Sequence, residues 1–234
     1  MQLFYNPNIS PNDSQFSFDK EESKHIVKVL RKTEGNILYV TNGLGDLFTT
    51  KIILASEKKC TVLITEIETN KSTNFYIHLV VAPTKMNERF EWFIEKATEM
   101  GIHEITPIIC NRSERKIINR DRFDKIIQSA MKQSLQFFMP KLNDPITFQN
   151  FILKKHTGNL CIAHCEETEK QLFKNTIKKN EKYTVLIGPE GDFSEKEIKL
   201  AIENKFIPVS LGNTRLRTET AAIVACHSIV FTNE

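Results

Sequence analysis

Two strand–loop–helix units follow one another near the C-terminus, and their spacing constrains the fold more than any other feature of the sequence. Tyr183–Ile187 is a short apolar run rich in β-branched residues and predicts a buried strand. The turn Gly188-Pro189-Glu190-Gly191 follows it, and Ser194-Glu195-Lys196-Glu197 has the pattern of a capping box, which predicts a helix start. Ile207–Leu211 predicts a second strand, after which Gly212 opens a second loop, NTRLRTET, that leads into an apolar C-terminal helix.

Polar residues are concentrated in the two loops that end these strands. The carboxyl ends of strands in an α/β sheet form a crevice where ligands bind, so the sequence predicts the active site there. The helix after the first loop is expected to bury Ile198, Ala201 and Ile202. Neither G-x-G-x-x-G nor G-x-x-x-x-G-K-[ST] is present, so a dinucleotide site and a phosphate loop lack support. Taken alone, GPEG fits an ordinary strand-to-helix turn equally well.

Residues 1–72 are predicted to form a separate β-rich domain, a small barrel. Expected elements are a strand at Leu3–Tyr5, a helix within DKEESKHIVKVLR, and strands at Asn36–Val40, Gly45–Ala55 and Cys60–Glu66. The linker is placed in the polar segment Glu68–Asn74. The helix carries a basic cluster that is either a solvated face or a surface for phosphates, formed by Lys24, His25, Lys28, Arg31 and Lys32.

From residue 73 to 234 the pattern becomes an alternation of strands and helices, which predicts an α/β domain with a mostly parallel sheet. Strands are expected at Phe75–Ala82, Glu104–Cys110 and Asn159–Cys165, and helices at Asn87–Gly101, Arg120–Phe138, Phe148–Lys155 and Glu169–Lys179. Two loops in this domain are basic, Pro83–Arg89 and Asn111–Lys116. A charged loop is commonly only solvated, so RNA contact is one of two interpretations at this point.

Composition excludes some classes of protein. The formal net charge of +3 is too small to identify a nucleic-acid partner. No run approaches the ~18 apolar residues of a membrane span, and the N-terminus lacks a signal peptide's plan, so we expect a cytoplasmic protein with no membrane partner.

The five cysteines are predicted to be buried thiols rather than metal ligands. They are Cys60, Cys110, Cys161, Cys165 and Cys226, and none forms C-x-x-C. Cys161, His164 and Cys165 are the one cluster that suggests zinc. On the predicted strand Cys161 and Cys165 share a face and His164 points the other way, so we predict no metal site.

The two C-terminal loops, LIGPEGDFSEKEI and LGNTRLRTETAA, resemble those of the RsmE family of ribosomal RNA methyltransferases, in the SPOUT (α/β-knot) superfamily. The segment KMNERFEWFIEKATEMGIHEITPIICNRSERK (85–116) is similar to the family's K-x-x-x-x-x-x-x-x-K-x-x-E-[LM]-G region followed by I-x-P and an Arg-Ser pair. HIVKVLR with NGLG resembles its N-terminal segments. The likeness covers almost the whole chain. Where many members have Q-S-G-R, this chain has Gln133-Ser134-Leu135-Gln136, which leaves open any RNA or dimer contact made by the missing arginine.

This resemblance implies an N-terminal PUA-like β-barrel that binds RNA and a C-terminal SPOUT methyltransferase domain with a trefoil knot. It implies a homodimer that uses S-adenosylmethionine to methylate N3 of one uridine in the 16S ribosomal RNA of the small subunit, with no metal. The alternatives are another SPOUT activity on a different RNA target and a ribosome-assembly protein that only binds RNA. A nicotinamide oxidoreductase is more distant, because the glycine fingerprint is missing.

The site residues follow from the same resemblance. Cofactor binding is expected from Leu186, Gly188, Pro189, Glu190, Gly191, Leu211, Gly212, Leu216, Thr220 and Ala221. RNA contacts are expected from Arg31, Lys85, Arg89, Arg112 and Arg115. Catalytic roles are assigned to Arg215, Arg217 and Glu219. Either arginine is suited to stabilising negative charge on the base, and Glu219 to orienting an arginine or accepting the N3 proton. The alternative is a purely structural salt bridge between Arg217 and Glu219.

Overall fold

The computed structural model describes the whole chain, Met1–Glu234, and contains two compact units. One unit consists of Met1–Ser72 together with Met131–Met139, and the other of Thr73–Ala130 together with Pro140–Glu234. None of the helices is long and apolar enough to span a membrane.

The first unit is a five-stranded sheet in the order β1-β3-β4-β5-β2. Its strands are β1 (Leu3–Tyr5), β2 (Gln15–Ser17), β3 (Ile37–Thr41), β4 (Asp46–Leu54) and β5 (Thr61–Thr69). β1 and β3 are parallel and the other pairs are antiparallel. Alternate side chains of these strands form one apolar core that includes Phe4, Val40 and Phe48. The arrangement agrees with the predicted PUA-like barrel.

The basic cluster lies on a helix that changes its winding. Helix α1 (Lys20–Lys24) is capped by Asp19, whose side chain accepts the backbone N–H of Glu22. The chain then continues as a π-helix over His25–Val29 and leaves it at Arg31, which has φ 53°. Ile26 is buried, whereas Lys24, Lys28 and Arg31 are exposed. The helix is therefore where the sequence predicts it, and its cationic side chains face solvent.

Three differences from the sequence predictions concern this unit or the segment that joins it. Strand β5 runs to Thr69, three residues beyond the predicted end, so the predicted linker overlaps it. Strand β2 was not predicted. The helix that was expected to reach Phe138 is α3 (Arg120–Gln133), and Leu135 has φ 57°. Helical winding stops because the next residues bond to the 41–45 turn instead: the Gly45 N–H donates to the carbonyl of Phe137 at 2.9 Å.

The second unit is built on a parallel sheet in the order β11-β13-β10-β12-β6-β7-β8, with β9 also paired to β7. Its strands are β6 (Tyr76–Val81), β7 (Glu104–Ile109), β8 (Lys141–Leu142), β9 (Ile146–Thr147), β10 (Asn159–Ala163), β11 (Gln171–Leu172), β12 (Lys182–Ile187) and β13 (Ile207–Ser210). Every pair is parallel. All carboxyl ends therefore meet at one edge of the sheet.

The remaining helices are α2 (Asn87–Glu99), α4 (Phe148–Ile152), α5 (Phe173–Thr176), α6 (Glu195–Glu203) and α7 (Thr218–Asn233). Helices α4 and α6 cover the sheet face that carries Val80, Ile162 and Leu186, and Phe193 fills the space between them. Helix α7 packs against β6, β12 and α2. The predicted fold class, α/β with a mostly parallel sheet and a small N-terminal PUA-like barrel, is confirmed, and the SPOUT trefoil knot stays a prediction.

The helix predicted at Glu169–Lys179 is wrong. Gln171–Leu172 pairs with β13 as an edge strand, and only the single turn of α5 follows. The Lys170 ammonium donates to the carbonyls of His164 and Glu166, which holds the preceding segment as a turn. Pairing with a distant strand overrides the local helical pattern here.

Two burial predictions are also wrong. Ile202 is 46% exposed, because α6 buries only Ile198 and Ala201. Strand β10 ends at Ala163, so His164 and Cys165 lie beyond it rather than on its two faces. Cys165 is exposed and the other four thiols are buried.

Candidate active site

Three loops, which follow β10, β12 and β13 at the carboxyl ends of the parallel strands, surround a crevice with two adjoining cavities. One has a volume of about 430 Å³ and the other about 310 Å³, and they share Ala163, Cys165, Arg215, Leu216 and Ala221 as lining residues. The larger cavity extends along Leu211–Thr214, and the smaller one along Gly188–Glu190. The crevice is where the sequence predicts the site.

Side-chain hydrogen bonds fix the two principal loops to each other. The Thr218 hydroxyl, at the first residue of α7, donates to the carbonyl of Gly188 at 3.0 Å. The predicted capping box is present, with the Ser194 N–H donating to Glu197 at 2.8 Å. Asp192 accepts the N–H of Cys165 at 2.7 Å, which ties the end of β10 to the same loop. These hydrogen bonds therefore hold the loops of the crevice in fixed positions.

Glycine is required at two positions of these loops. A Cβ on Gly188 would lie 3.1 Å from two ring carbons of Phe193 and 3.2 Å from its backbone nitrogen, which is tighter than ordinary contact. Gly212 has φ +151°, a conformation that other residues rarely adopt. Both loops thus depend on glycine for their shape.

Two arginines of the second loop carry free charge at the cavities. Arg215 lines both cavities and Arg217 lines the smaller one, and both side chains are exposed. Neither guanidinium has a hydrogen-bond or ion-pair partner within the chain. Arg217 directly precedes α7, whose N-terminus adds positive potential. The crevice can therefore bind an anionic group or stabilise negative charge that develops on a substrate.

Glu219 lies outside the cavities. Its Oε1 is 3.8 Å from Nε of Arg89, on α2, and its Oε2 is buried without a partner. The side chain is only 10% exposed. The salt bridge considered between Arg217 and Glu219 is not formed, since Glu219 faces Arg89 instead.

Four of the five predicted RNA contacts brace the crevice. Arg112 donates to the carbonyl of Gly191 at 2.9 Å, and Arg115 donates to the carbonyl of Lys85 at 2.8 Å. The Lys85 ammonium pairs with Glu114 at 2.8 Å, and its N–H donates to Glu190 at 2.9 Å. Arg89 is held by Glu219, as described above. Only Arg31, in the first unit, is exposed with no such partner.

The predicted cofactor residues divide into two groups. Those that line a cavity are Gly188, Pro189, Glu190, Leu211, Gly212, Leu216 and Ala221. Leu186 lies in the apolar core under α4 and α6, and neither Gly191 nor Thr220 lines a cavity. A Cβ on Gly191 would lie 3.3 Å from Cβ of Arg112. The absence of a side chain at Gly191 thus lets Arg112 approach and donate to its carbonyl.

Sequence reasoning considered the residues that end β10 only as a possible zinc cluster and did not assign them to this site. His164 lines the larger cavity and is 6% exposed, yet neither of its ring nitrogens has a hydrogen-bond partner. Burial, followed by the nearby Lys170 charge, lowers the pKa of His164, so the ring is neutral at pH 7. A neutral imidazole offers one donor and one acceptor. The signal available in the sequence was the position of His164, which lies at the end of a third predicted strand, as the two C-terminal loops follow the ends of theirs.

No group of three or more His, Cys, Asp or Glu side chains is arranged to hold a metal ion. The cavities instead suit an organic ligand. Their volumes fall in the range of small-molecule sites, and Leu211, Leu216 and Ala221 supply apolar walls beside the unpaired Arg215 and His164.

Comparison with known proteins identifies relatives over the whole chain. The family model for an RNA methyltransferase domain matches residues 71–230, and that for an RNA methyltransferase PUA domain matches residues 18–65. The ribosomal RNA small subunit methyltransferase E of Bacillus subtilis is 30% identical, covering 94% of this chain and 91% of that protein. The enzyme of the same name from Buchnera aphidicola of Acyrthosiphon pisum is 32% identical over 91% and 86%.

Two solved structures share the fold at similar identity. A protein of Porphyromonas gingivalis, described as a probable rRNA-methyltransferase, is 37% identical with a TM-score of 0.92, covering 100% of this chain and 98% of that one. A candidate methyltransferase from Legionella pneumophila, solved with the bound cofactor SAM, is 30% identical with a TM-score of 0.87, covering 99% and 97%.

Proposed function

The chain belongs to the RsmE family of ribosomal RNA methyltransferases, and we propose that it methylates N3 of one uridine in the 16S RNA of the small ribosomal subunit. The single observation that carries the proposal is the pair of unpaired guanidinium groups, Arg215 and Arg217, at a cavity walled by the GPEG and LRTET loops. We propose the N3 position and the roles of the individual residues from this geometry together with the family.

The residues of the crevice fit S-adenosylmethionine. Leu211, Leu216 and Ala221 provide apolar contact for an adenine ring, and Gly188 and Gly212 line the cavities without side chains, so a ligand can approach the backbone closely there. The orphaned nitrogens of His164 are suited to a hydroxyl group, which both donates and accepts a hydrogen bond. When bound, the cofactor supplies an electrophilic methyl group on a sulfonium.

The chain's own residues must then position the base and manage its charge. Uridine N3 carries a proton in neutral water, and methylation at N3 replaces that proton, so negative charge on the base has to be favoured at the moment of transfer. Arg215 and Arg217 are the cations available for this, because their side chains are not neutralised by any carboxylate of the chain. The crevice is open to water, which can take the departing proton.

We assign Glu219 a positioning role. It does not line either cavity, and its closest cation is Arg89 at 3.8 Å. The pair lies between the first turns of α2 and α7, so it fixes the start of α7 and with it the backbone of Arg217. Proton acceptance by Glu219 receives no support from this placement.

RNA binding is proposed for both units. Residues 1–72 contain the segment that matches the PUA family model and present the exposed cations of the α1 and π-helix region, Arg31 among them. In the methyltransferase domain, residues 73–234, Lys85, Arg89, Arg112 and Arg115 stand beside the crevice. Their first task is to brace its loops, and the donors they have left over can still meet phosphate groups. With a substrate of this kind, we also propose a cytoplasmic location.

We further propose a homodimer. Helix α7 is largely apolar between Ala221 and Phe231, with His227 and Ser228 as the polar exceptions, and such a helix is expected to be covered over most of its surface. Yet Phe231 is 68% exposed, stacked on the exposed His227, and Ile223 and Val224 are only partly buried. Sedimentation equilibrium should give the mass of two chains, and the mass of one chain would contradict the proposal.

The experiment that tests the reaction uses small ribosomal subunits that lack native methylation at the candidate uridine. Incubation with labelled S-adenosylmethionine should incorporate label, and primer extension should stop at a single uridine, because a methyl group on N3 blocks the pairing edge. Label without that stop would keep the methyltransferase and reject the N3 assignment. Absence of both label and cofactor binding would favour a protein that only binds RNA.

A further inference from the structure

A further cavity, larger than either of the two in the crevice, lies elsewhere in the second unit. It has a volume of about 500 Å³ and lies at the amino ends of the parallel strands, where Glu104, Lys141 and Lys182 are the first residues of β7, β8 and β12. None of its lining residues is shared with either cavity at the carboxyl ends. The methyl-transfer site therefore gives no reason for it.

The floor of this amino-end pocket is a polar network that is complete within the chain. Glu104 accepts hydrogen bonds from the Tyr76 hydroxyl at 2.9 Å, the Asn143 amide at 2.7 Å and the Lys141 ammonium at 3.0 Å. The Asn143 amide also lies 2.7 Å from the Thr106 hydroxyl, and that hydroxyl is 2.7 Å from Nε2 of His78. Burial alone would raise the pKa of Glu104, but the hydrogen bonds from Asn143, Lys141 and Tyr76 outweigh it and hold the pKa at about 2, so the floor carries one negative charge that Lys141 neutralises.

The rim of the pocket has an excess of positive charge. Lys154 and Lys155 line it without any ion-pair partner, and Lys182 lies 4.9 Å over the ring of Tyr76 with no carboxylate beside it. The other carboxylate of the lining, Asp144, is occupied by Arg120. Three ammonium groups are therefore left without a counter-charge at the mouth of one cavity.

We propose that the amino-end pocket binds a phosphate group. Ammonium groups act as point charges that suit phosphate oxygens from any direction, and a phosphate carries enough negative charge to meet several of them at once. The hydroxyls of Thr157 and Thr184 line the same cavity and can add donors. The phosphate comes either from a backbone position of the RNA that the crevice modifies or from a free nucleotide or phosphate ion. The RNA source rests on the proposed function, and the free source does not.

Two triple variants test the pocket. The pocket variant is Lys154→Ala/Lys155→Ala/Lys182→Ala. The control variant, Lys179→Ala/Lys196→Ala/Lys199→Ala, removes the same charge from exposed positions of the same unit that line none of the cavities described here. All six side chains are exposed, so both proteins should fold as the wild type does.

The first measurement is the affinity for substrate RNA as a function of salt, without cofactor. One lost phosphate contact lowers the slope of log K against log salt by ~0.7 to 0.9, and we expect the pocket variant to bind RNA about tenfold more weakly at low salt. The control should change less in both quantities. Turnover at saturating RNA should remain that of the wild type in both variants, because no residue of the crevice has changed.

The second measurement is a titration with inorganic phosphate, followed by amide chemical shifts. Shifts at Thr157 and Lys182 in the wild type that vanish in the pocket variant support the pocket whatever the RNA result, and with an unchanged salt slope they assign it to a free phosphate. A lower salt slope without phosphate shifts assigns it to the RNA strand. No phosphate shifts and equal salt slopes in the two variants would overturn the proposal. Methylation by the wild type reports separately on the proposed function.

Discussion

The polar groups at the two ends of the parallel sheet differ in whether they have hydrogen-bond partners within the chain. At the amino end, His78, Glu104, Thr106 and Asn143 all find hydrogen-bond partners within the chain. At the carboxyl end, the nitrogens of the buried His164 have none, and the guanidinium groups of Arg215 and Arg217 stand free. One network is complete before any ligand arrives, and the other is not.

This difference distinguishes polar groups that stabilise the fold from polar groups that are available to bind a ligand. A buried donor or acceptor without a partner costs about 1–3 kcal/mol, so a folded chain retains one at a functional site, where a ligand completes it. A complete network stabilises the fold and can serve as the floor of a pocket, but it has no free groups for chemistry. Substitutions at the two ends should therefore separate into effects on rate and effects on stability.

The largest expected effect is on catalysis at the carboxyl end. Arg217→Ala should lower the rate of methyl transfer by about 10²–10³-fold, because a preorganised charge at the developing anion is lost. Cofactor affinity and the unfolding midpoint should change little, since the side chain is exposed and unpaired. Single-turnover rates with saturating small subunits measure the effect, with Arg217→Lys as the charge-conserving control. A near-normal rate for Arg217→Ala would remove it from the catalytic group.

At the amino end the next largest effect should be on stability. Glu104→Ala removes the acceptor of three hydrogen bonds and leaves the Lys141 ammonium without its partner. We expect the free energy of unfolding to fall by about 3 kcal/mol, measured by urea denaturation. The rate of methyl transfer per folded molecule should stay that of the wild type. A large loss of rate with unchanged stability would reverse the assignment of the two ends.

Acid should destabilise the amino end in a defined window. Burial lowers the pKa of His78 from 6.5 to about 4 in the folded chain, despite the nearby Glu104. Because the unfolded chain takes up this proton first, the stabilisation is complete above pH 6.5 and is lost as the pH falls toward 4. His78→Gln should make urea stability less dependent on pH between 6.5 and 4. An equal pH dependence in both proteins would contradict the role given to His78.

The smallest predicted effect is at the carboxyl end, where one substitution should raise stability and weaken cofactor binding. His164→Leu removes two unpaired ring nitrogens from a buried position, so the free energy of unfolding should rise by about 1 kcal/mol. Affinity for S-adenosylhomocysteine, measured by calorimetry, should fall about tenfold, as one hydrogen bond to the ligand is lost. Unchanged affinity would show that His164 does not touch the cofactor.

The sequence predicts the carboxyl end better than the amino end, because strand ends, turns and caps are local signals. Tyr183–Ile187 and the capping box at Ser194 lie where their patterns place them. His164 was not recognised, because the end of β10 depends on pairing with β12 and β13 rather than on its own residues. The amino-end network joins Tyr76, Glu104 and Asn143, which no short spacing connects.

The basic loops show the same limit. The patterns around Lys85, Arg112 and Arg115 mark charged segments but not their partners, which lie about 30 to 105 residues away in the chain. A charge run predicts a solvated or RNA-facing surface equally well. Only the folded chain shows that Arg112 and Arg115 first hold the loops of the crevice.

The most direct test of the division between the two ends is to map where the cofactor product binds. Addition of S-adenosylhomocysteine to the isotope-labelled protein should move the amide resonances of His164, Gly188 and Leu211–Arg217. The resonances of His78, Thr106 and His156, around the amino-end pocket, should stay unchanged. Shifts centred on the amino-end pocket, with the crevice unaffected, would contradict the account.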